Sequence, residues 1–193
     1  MPLRPWCRWR TDTQNLKIAL TGGIACGKSL LSRYLSKRGF EILDADAVVH
    51  EIIPDPAERR RIAAKVFSDP EERRKLESRL HPMVRERIDR WFSAPSADKK
   101  TKIAAIPLLF EVHWDEDYDI ILCVVSSKEK QIERMTATRG YSVREAVARI
   151  EAQMDLRKKA ERSHYIIHND SSEGDLEAQA ERFIAWLNEQ PGR

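Results

Sequence analysis

Cysteine is scarce in this chain, and no long apolar run interrupts its mixture of charged and apolar residues. The three cysteines, Cys7, Cys26 and Cys123, are odd in number and lack metal-ligand spacing, which argues against a disulfide framework and a zinc site. No apolar run approaches the roughly 18 residues of a membrane span. We therefore expect a cytoplasmic protein without a membrane partner.

A strong excess of one charge sign is also missing. The net charge is +3, which is too small to indicate nucleic-acid binding by itself. The basic residues are unevenly spread, because residues 57–90 contain eleven Lys and Arg against seven acids. A pair of solvated helices and a surface for an anionic ligand both explain this local excess.

The opening "MPLRPWCRWRTDTQ" is rich in arginine and has no continuous apolar core of the kind that a secretory signal needs. We interpret residues 1–16 as a disordered extension, with a transit peptide as the alternative. The remaining length suits one compact domain over residues 17–193. We expect this domain to be a monomer or a weak homo-oligomer.

Short apolar runs alternate with longer segments of helical periodicity, which is typical of an α/β fold with an open parallel sheet flanked by helices. Buried strands of such sheets are continuously apolar, and "IILCVV" has this character. The predicted strands are residues 17–20, 40–43, 102–106, 119–125 and 165–167.

Local signals predict several helix ends. Gly39 supplies a left-handed C-terminal cap for the helix that follows residue 28. The stretch "DPEE" from Asp69 offers an N-cap, a first-position proline and a capping-box glutamate. Pro82 predicts a break, because its ring clashes with the preceding turn and it has no N–H to donate. "SVRE" from Ser142 is a second capping box.

Residues 22–29, here called the phosphate loop, fit the pattern G-x-x-x-x-G-K-[ST] between a predicted strand and a predicted helix. The glycines let successive backbone N–H groups point inward, and the helix N-terminus adds positive potential. Lys28 can neutralise the β- and γ-phosphates of ATP, and Ser29 offers a hydroxyl to Mg²⁺. The predicted ATP-binding residues of this region are Gly22, Gly23, Ile24, Ala25, Cys26, Gly27, Lys28, Ser29 and Leu30.

Other motifs of nucleotide-binding proteins are missing. The chain has neither the N-K-x-D motif that reads guanine nor a D-x-x-G switch after the phosphate loop, which argues against a GTPase. The most apolar strand ends in Ser126 and Ser127, where ATP-hydrolysing machines have an Asp-Glu pair. These absences leave small-molecule kinases as the favoured class.

Cys26 raises a separate question within the phosphate loop. The favoured interpretation is a small side chain that turns away from the phosphates. The alternative is a thiol with a lowered pKa, because the residue lies near a helix N-terminus and beside Lys28.

Two acids follow the second predicted strand in "LDADAVVHEII". On an extended chain Asp44 and Asp46 point to the same side, at the sheet edge where α/β folds bind ligands. One carboxylate can accept a proton from an attacking hydroxyl while the other orients it or holds a magnesium-bound water. The alternatives are a helix N-cap for Asp46 and a surface position for Asp44.

Six segments, in this order, together resemble the dephospho-coenzyme A kinase family, and the resemblance spans residues 17–186. The segments are "TGGIACGKS", "ILDAD", "VFSDPEERRKLESRLHPMVRERI", "IPLLFE", "RGYSVREAVARIEAQM" and "IIHND". The resemblance implies a P-loop kinase fold with a five-stranded parallel sheet. It also implies transfer of a phosphoryl group from MgATP to the ribose 3′-hydroxyl of dephospho-coenzyme A.

The family pattern implies a division of the chain and roles for several residues. It places the core at about residues 17–53, 101–126 and 163–189, helices for the acceptor at about 54–93, and a helical lid at about 127–160. Asp46 becomes the general base, with Asp44 in support. The remaining implied residues are Arg134 and Arg139 for the phosphates, Asn169 near the adenine, and His81 and Glu111 for the acceptor. A solvated surface position for either arginine, and a helix-end position for His81, are the alternatives.

Two departures from the family pattern stand out. Ala25 and Cys26 replace the usual glycine and serine, and Leu30 replaces a second hydroxyl residue. The stretch between Asp46 and His81 is also shorter than the family's. If this shortened stretch no longer holds the acceptor, the alternatives are a nucleoside or nucleotide kinase and a nucleotide-binding regulatory protein without turnover.

Overall fold

The computed structural model describes residues 16–68, 70–96 and 100–189. Within these ranges five parallel strands form one sheet in the order β2-β3-β1-β4-β5. The strands are β1 (Ile18–Gly22), β2 (Glu41–Asp44), β3 (Lys102–Ala105), β4 (Ile120–Val125) and β5 (Tyr165–His168). All five predicted strands are confirmed, and every end lies within two residues of its predicted position.

Helices connect the strands and cover the sheet. They are α1 (Lys28–Lys37), α2 (Ala45–Ile52), α3 (Pro56–Ser68), α4 (Pro70–Ser93), α5 (Lys128–Arg139), α6 (Val143–Glu151), α7 (Leu156–Glu161) and α8 (Glu173–Asn188). In the part of the chain that the structure describes, none of these helices has the length and apolarity needed to cross a membrane.

The core consists of two apolar layers, one on each face of the sheet. Alternate residues of β1 separate them, because Leu20 packs with α1 and α8 while Ala19 packs with α2 and α4. Leu16, which the sequence assigns to the extension, is only 8% exposed and belongs to the first layer. Residues 1–15, which hold the rest of that predicted extension, lie outside the described residues.

The predicted helix break at Pro82 is wrong, since α4 continues from Pro70 to Ser93 through this residue. Pro82 lies on the exposed side of the helix, and so does Ser78, whose carbonyl loses its N–H donor. Solvent can therefore satisfy that carbonyl. Burial of Val84 and Ile88 holds the following turns against the sheet and offsets the cost of the proline.

Two of the predicted helix ends are confirmed. Gly39 follows α1 with a positive φ of 93°. Ser142 caps α6, and its hydroxyl and backbone N–H both bond reciprocally with Glu145. The predicted N-cap at Asp69 lies outside the described residues.

Candidate active site

The phosphate loop connects the end of β1 to the start of α1, at the middle strand of the sheet. Because all five strands are parallel, their carboxyl ends meet at this edge, which is where open α/β sheets bind ligands. A Cβ atom on Gly22 would lie 2.4 Å from the Val124 carbonyl oxygen. A Cβ atom on Gly27 would lie 2.1 Å from Nδ2 of Asn169. The loop therefore packs too closely on β4 and on the residue after β5 to admit side chains at either glycine.

Three consecutive carbonyl groups of the phosphate loop are bound by side chains from distant parts of the chain. Gln131 Nε2 donates to Ile24 O at 2.7 Å, Arg134 Nη1 to Ala25 O at 3.2 Å, and Asn169 Nδ2 to Cys26 O at 2.9 Å. The amide oxygen of a fourth side chain, Gln153, accepts a hydrogen bond from the Ile24 N–H at 2.9 Å. These contacts fix the loop backbone from the side of its carbonyls.

The backbone N–H groups at the start of α1 are left for a ligand. Within the described ranges, the N–H groups of Gly27, Lys28 and Ser29 donate to no protein acceptor. Unpaired N–H groups at a helix N-terminus, together with the helix dipole, favour a bound phosphate. The loop thus presents donors at the position that the sequence pattern predicts.

Ala25 adopts a left-handed conformation, with φ at 57°. This conformation costs a non-glycine residue about 1–2 kcal/mol, because Cβ crowds the following carbonyl. The bond from Arg134 to the Ala25 carbonyl, and the bond from Gln131 to the preceding one, hold this strained segment. Ala25, which the family pattern marks as a departure, therefore stands where glycine fits the backbone better.

Arg134 and Asn169, both predicted as ATP ligands, lie against the phosphate loop. The Arg134 guanidinium also donates to Ser126 Oγ at 2.9 Å and to the Asn169 carbonyl at 2.6 Å. Asn169 is buried, and its backbone N–H donates to Val125 O. Arg134 supports the loop from α5 and Asn169 supports it from the end of β5, and their contact with ATP stays a prediction.

Arg139 differs from Arg134 in its surroundings. It is the last residue of α5, its side chain is exposed, and it has no hydrogen-bond or ion-pair partner in the described ranges. A guanidinium in this position stays charged and is available to an anionic ligand.

Lys28 and Asp44 form an ion pair across the site. Lys28 Nζ lies 3.6 Å from Asp44 Oδ2, and the Lys28 side chain is only 13% exposed. Asp44 also caps α2, because its Oδ1 accepts a hydrogen bond from the Asp46 N–H at 3.0 Å. The expectation of an extended chain through both acids is wrong. The strand ends at Asp44, and Asp46 lies in the first turn of α2.

Asp46 is the acid whose protonation the site alters most clearly. Its side chain reaches solvent, but partial desolvation raises the pKa of its carboxyl above the ordinary aspartate value. The charge of Lys28 opposes this increase in pKa, and the charge of Asp44 adds to it. An aspartate with a raised pKa is a stronger base than an ordinary one, which suits proton abstraction.

Glu111 contacts the lid through one of its two carboxylate oxygens. Its Oε1 accepts from the Met154 N–H at 3.0 Å and pairs with Lys159 Nζ at 2.7 Å. Lys159 is fully buried and also donates to the Pro107 carbonyl at 3.0 Å. The second oxygen of Glu111, Oε2, is buried without a hydrogen-bond partner among the described residues. Acceptor binding by Glu111 stays a prediction.

His81 lies in the middle of α4, so the alternative that it sits at a helix end is wrong. Its ring packs edge-on against Trp114, with 5.7 Å between the ring centres. Both rings line an open groove of about 610 Å³ along α4, together with Arg85, Glu86, Asp89 and Arg90. The groove carries charges of both signs.

Cys26 is fully buried, and burial raises the pKa of its thiol. The alternative of a lowered pKa is therefore wrong. The side chain turns into the apolar layer that contains Leu31 and Leu176, which confirms the favoured interpretation of a side chain directed away from the phosphates.

Sequence reasoning missed three residues of the site: Gln131, Gln153 and Lys159. Each acts through a contact with a residue far along the chain. Gln153 lies within the quoted segment "RGYSVREAVARIEAQM", but nothing in that segment indicates its contact with the phosphate loop. Lys159 even lies in the run "RKK", which is typical of a solvated face. Only knowledge of the packed structure identifies these residues.

The phosphate loop on the central strand, the acids after β2 and the helical segment that follows β4 define the class of protein as a P-loop kinase. The fold agrees with this class. Shikimate kinase from Acinetobacter baumannii superposes with a TM-score of 0.62 at 17% identity, over 91% of this chain and 94% of that one.

The chain belongs to the dephospho-CoA kinase family. The sequence model of that family matches residues 16–58 and 55–175. The dephospho-CoA kinase of Helicobacter pylori (strain ATCC 700392 / 26695) is 34% identical over 189 residues, which cover 88% of this chain and 96% of the relative. The crystal structure of TT1252 from Thermus thermophilus has a TM-score of 0.75 at 32% identity, over 89% of this chain and 97% of that one.

Proposed function

We propose that this protein transfers the γ-phosphoryl group of ATP to the ribose 3′-hydroxyl of dephospho-CoA, which gives CoA and ADP. Membership of the dephospho-CoA kinase family supports the choice of acceptor. The structural observation that carries the proposal is the position of Asp46, two residues after the Asp44 of the Lys28–Asp44 ion pair, with a raised pKa.

ATP binds with its phosphates against the phosphate loop and the N-terminus of α1. The N–H groups of Gly27, Lys28 and Ser29 donate to phosphate oxygens, and Lys28 Nζ leaves Asp44 in part to bind the β- and γ-phosphates. Leu30 offers no hydroxyl beside this site, so its contribution is limited to its backbone.

The residues present fit a magnesium ion held jointly with ATP. The Ser29 hydroxyl is exposed and has no partner in the described part of the chain, where no cluster of three His, Cys, Asp or Glu side chains occurs either. Mg²⁺ at ATP sites commonly takes one or two protein oxygens and completes its shell with phosphates and water. When bound, the ion offsets negative charge on the phosphates.

The carboxylate of Asp46 accepts the proton of the ribose 3′-hydroxyl while that oxygen attacks the γ-phosphorus. The new P–O bond forms as the bond between the γ-phosphorus and the bridging oxygen breaks, and ADP keeps that electron pair. A general base acts within about 3 Å of the hydroxyl. Asp44 holds the helix that carries Asp46 and balances the charge of Lys28.

The lid, at residues 127–160, closes over the nucleotide and excludes water that would hydrolyse ATP. Arg139 supplies positive charge to the phosphates from the end of α5, because its side chain is exposed and unpaired with any described residue. Arg134 contributes mainly by holding the loop, since three of its hydrogen bonds go to protein oxygens. Asn169 lies beside the same loop, where the adenine is expected.

The acceptor binds on the side of α3 and α4, in the segment 54–93. The two matches to the family model meet at residues 55–58, in the stretch that is shorter than the family's. His81 and the groove along α4 lie in this segment. Glu111 follows it in the chain, after β3. We expect residues 17–193 to act as one domain, as a monomer or weak homo-oligomer, in the cytoplasm and without nucleic acid.

The test is an ADP-release assay with purified protein, Mg²⁺, ATP and a panel of acceptors. We expect release that depends on dephospho-CoA, and a product heavier by one phosphate at the 3′-position. The Lys28→Met variant serves as the inactive control. Turnover with nucleosides or nucleotides instead would indicate a different kinase, and ATP binding without turnover on any acceptor would indicate a regulatory protein.

A further inference from the structure

The Ile24 residue of the phosphate loop is bound at both of its backbone polar groups by glutamines of the lid. Gln153 Oε1 accepts from the Ile24 N–H at 2.9 Å, and Gln131 Nε2 donates to the Ile24 carbonyl at 2.7 Å. The Gln131 side chain lies in the protein interior, since this residue is only 3% exposed. Two amide side chains with opposite hydrogen-bonding roles therefore meet at one residue.

The two glutamines come from opposite ends of the lid. Gln131 lies in the first turn of α5, and Gln153 lies between α6 and α7. The position of Gln153 is fixed further by its neighbour, because the Met154 N–H donates to Glu111 Oε1. A change in the arrangement of the lid therefore moves at least one hydrogen-bond partner of the phosphate loop.

The peptide between Ile24 and Ala25 is the one whose orientation determines the strained conformation of the loop. Rotation of this peptide changes φ of Ala25, which lies at 57° and is unfavourable for an L-residue. The hydrogen bond from Gln131 to the Ile24 carbonyl opposes such a rotation. Without this hydrogen bond, Ala25 can rotate to a more favourable φ, and the N–H donors of the following residues then lose their alignment.

We propose that Gln131 and Gln153 are positioning residues for phosphoryl transfer, which hold the phosphate loop in its ATP-binding geometry and couple it to the lid. This proposal rests on the kinase function above. Neither residue belongs to the phosphate-loop motif, and each acts on the nucleotide only through Ile24.

The opposite roles of the two amides provide the test. Glu in place of Gln keeps an acceptor oxygen and removes the donor, at nearly the same size. Gln153→Glu therefore preserves the bond with the Ile24 N–H, whereas Gln131→Glu puts a carboxylate oxygen against the Ile24 carbonyl. We expect Gln153→Glu to change ATP Kd and kcat less than Gln131→Glu does, because its acceptor oxygen remains. We expect Gln131→Glu to weaken ATP binding and to lower kcat by about tenfold or more, because a partly buried carbonyl loses its donor and faces a carboxylate instead.

Two further variants keep the result interpretable. Gln131→Met removes the donor without adding a charge, and it still weakens ATP binding if Gln131→Glu fails to fold. Gln179→Glu is the matched control, because Gln179 binds both backbone polar groups of His168 in the same manner, and its side chain has no hydrogen bond to the phosphate loop in the described part of the chain. We expect its kcat to match that of the wild type.

The measurements are kcat and KM for ATP, ATP Kd by calorimetry, and thermal unfolding of each variant. Equal effects of Gln131→Glu and Gln153→Glu, or a lowered melting temperature of Gln131→Glu with unchanged ATP Kd and kcat, would overturn the proposal. Failure of the proposed kinase function is recognised separately, since the wild type then shows no turnover. The difference in ATP Kd between the two variants still decides the positioning role in that case.

Discussion

Lys28 Nζ lies 3.6 Å from Asp44 Oδ2, and the same carboxyl group caps α2 through the Asp46 N–H. The lysine proposed to bind phosphates, the N-cap of α2 and the proposed general base are therefore linked through one side chain. Because Asp44 performs a structural and an electrostatic task, substitutions at this position separate the two.

Asp44→Asn removes the charge and retains a side-chain oxygen that can cap α2. We expect the acid limb of the kcat/KM profile to move to lower pH, because the charge of Asp44 helps to raise the pKa of Asp46. Asp44→Ala also loses the cap, at a cost of about 1 kcal/mol of unfolding free energy relative to Asp44→Asn. Activity profiles against pH and urea unfolding of both variants check this prediction, and an unmoved acid limb would contradict it.

Asp46→Asn removes the proposed base. We expect turnover to fall about 10²- to 10⁴-fold, since this is the usual contribution of a general base, while ATP Kd changes little. Glu51→Gln on the same helix is the control, because Glu51 is exposed and pairs with Arg87. Near-normal turnover of Asp46→Asn would exclude Asp46 as the base.

The same substitution has a pH-dependent effect on stability. The raised pKa means that folding disfavours the charged form of Asp46, so its favourable contribution is present below the ordinary aspartate pKa and is lost as pH rises through the raised value. Asp46→Asn is therefore expected to melt at a higher temperature than the wild type at neutral pH. The difference should vanish below the ordinary aspartate pKa, and thermal melts at both pH values measure it.

Ala25→Gly relieves the left-handed conformation at φ 57°. The relief of about 1–2 kcal/mol exceeds the entropic cost of glycine, about 0.5–1 kcal/mol, so we expect a gain of up to about 1 kcal/mol in unfolding free energy. Ala178→Gly, at an exposed position of α8, is the control and should lose about 0.5–1 kcal/mol. Urea unfolding compares the two, and an equal loss in both would show that Ala25 is unstrained.

Cys26 should resist alkylation in the folded protein. It is fully buried, and burial raises the pKa of its thiol, so both access and thiolate formation are unfavourable. We expect iodoacetamide to leave the Cys26 peptide unmodified at neutral pH and to modify it fully after denaturation, as judged by mass spectrometry. Rapid labelling of Cys26 in the native protein, together with protection by ATP, would contradict the buried position.

Lys159→Met leaves the carboxylate of Glu111 without its buried cationic partner. Loss of one member of such a pair costs about 3–5 kcal/mol of unfolding free energy. The neighbouring Lys158→Met is the control, because Lys158 is exposed, and we expect a change within about 0.5 kcal/mol. Similar unfolding midpoints for the two variants would show that the Glu111 pair contributes little.

The sequence was sufficient to predict the sheet and the phosphate loop, because both depend on local patterns. The continuous apolar run of β4 and the spacing of glycines over residues 22–29 carry that information without reference to the rest of the chain. The sequence also predicts the sheet edge at which Asp44 and Asp46 lie. It does not predict their relative arrangement, because the strand ends at Asp44 and the alternation of side chains ends there too.

The contacts behind the phosphate loop could not be predicted, because they join residues that are far apart in sequence. Gln131 and Ile24 are separated by 107 positions, and no pattern in the sequence pairs the two. Pro82 illustrates a different limit. Its local preference for a break is outweighed by the burial of Val84 and Ile88, which only the folded structure reveals.

The bond between Asn169 and the Cys26 carbonyl spans 143 positions, and this separation has a consequence for folding. A growing chain contains the whole ATP motif once Ser29 has been synthesised, but the loop lacks its last support until β5 has joined the sheet. Contacts between such distant residues form late, since a long segment must first be closed. We therefore expect incomplete chains to carry the motif without affinity for ATP, so that the nucleotide stabilises only molecules whose sheet is already complete.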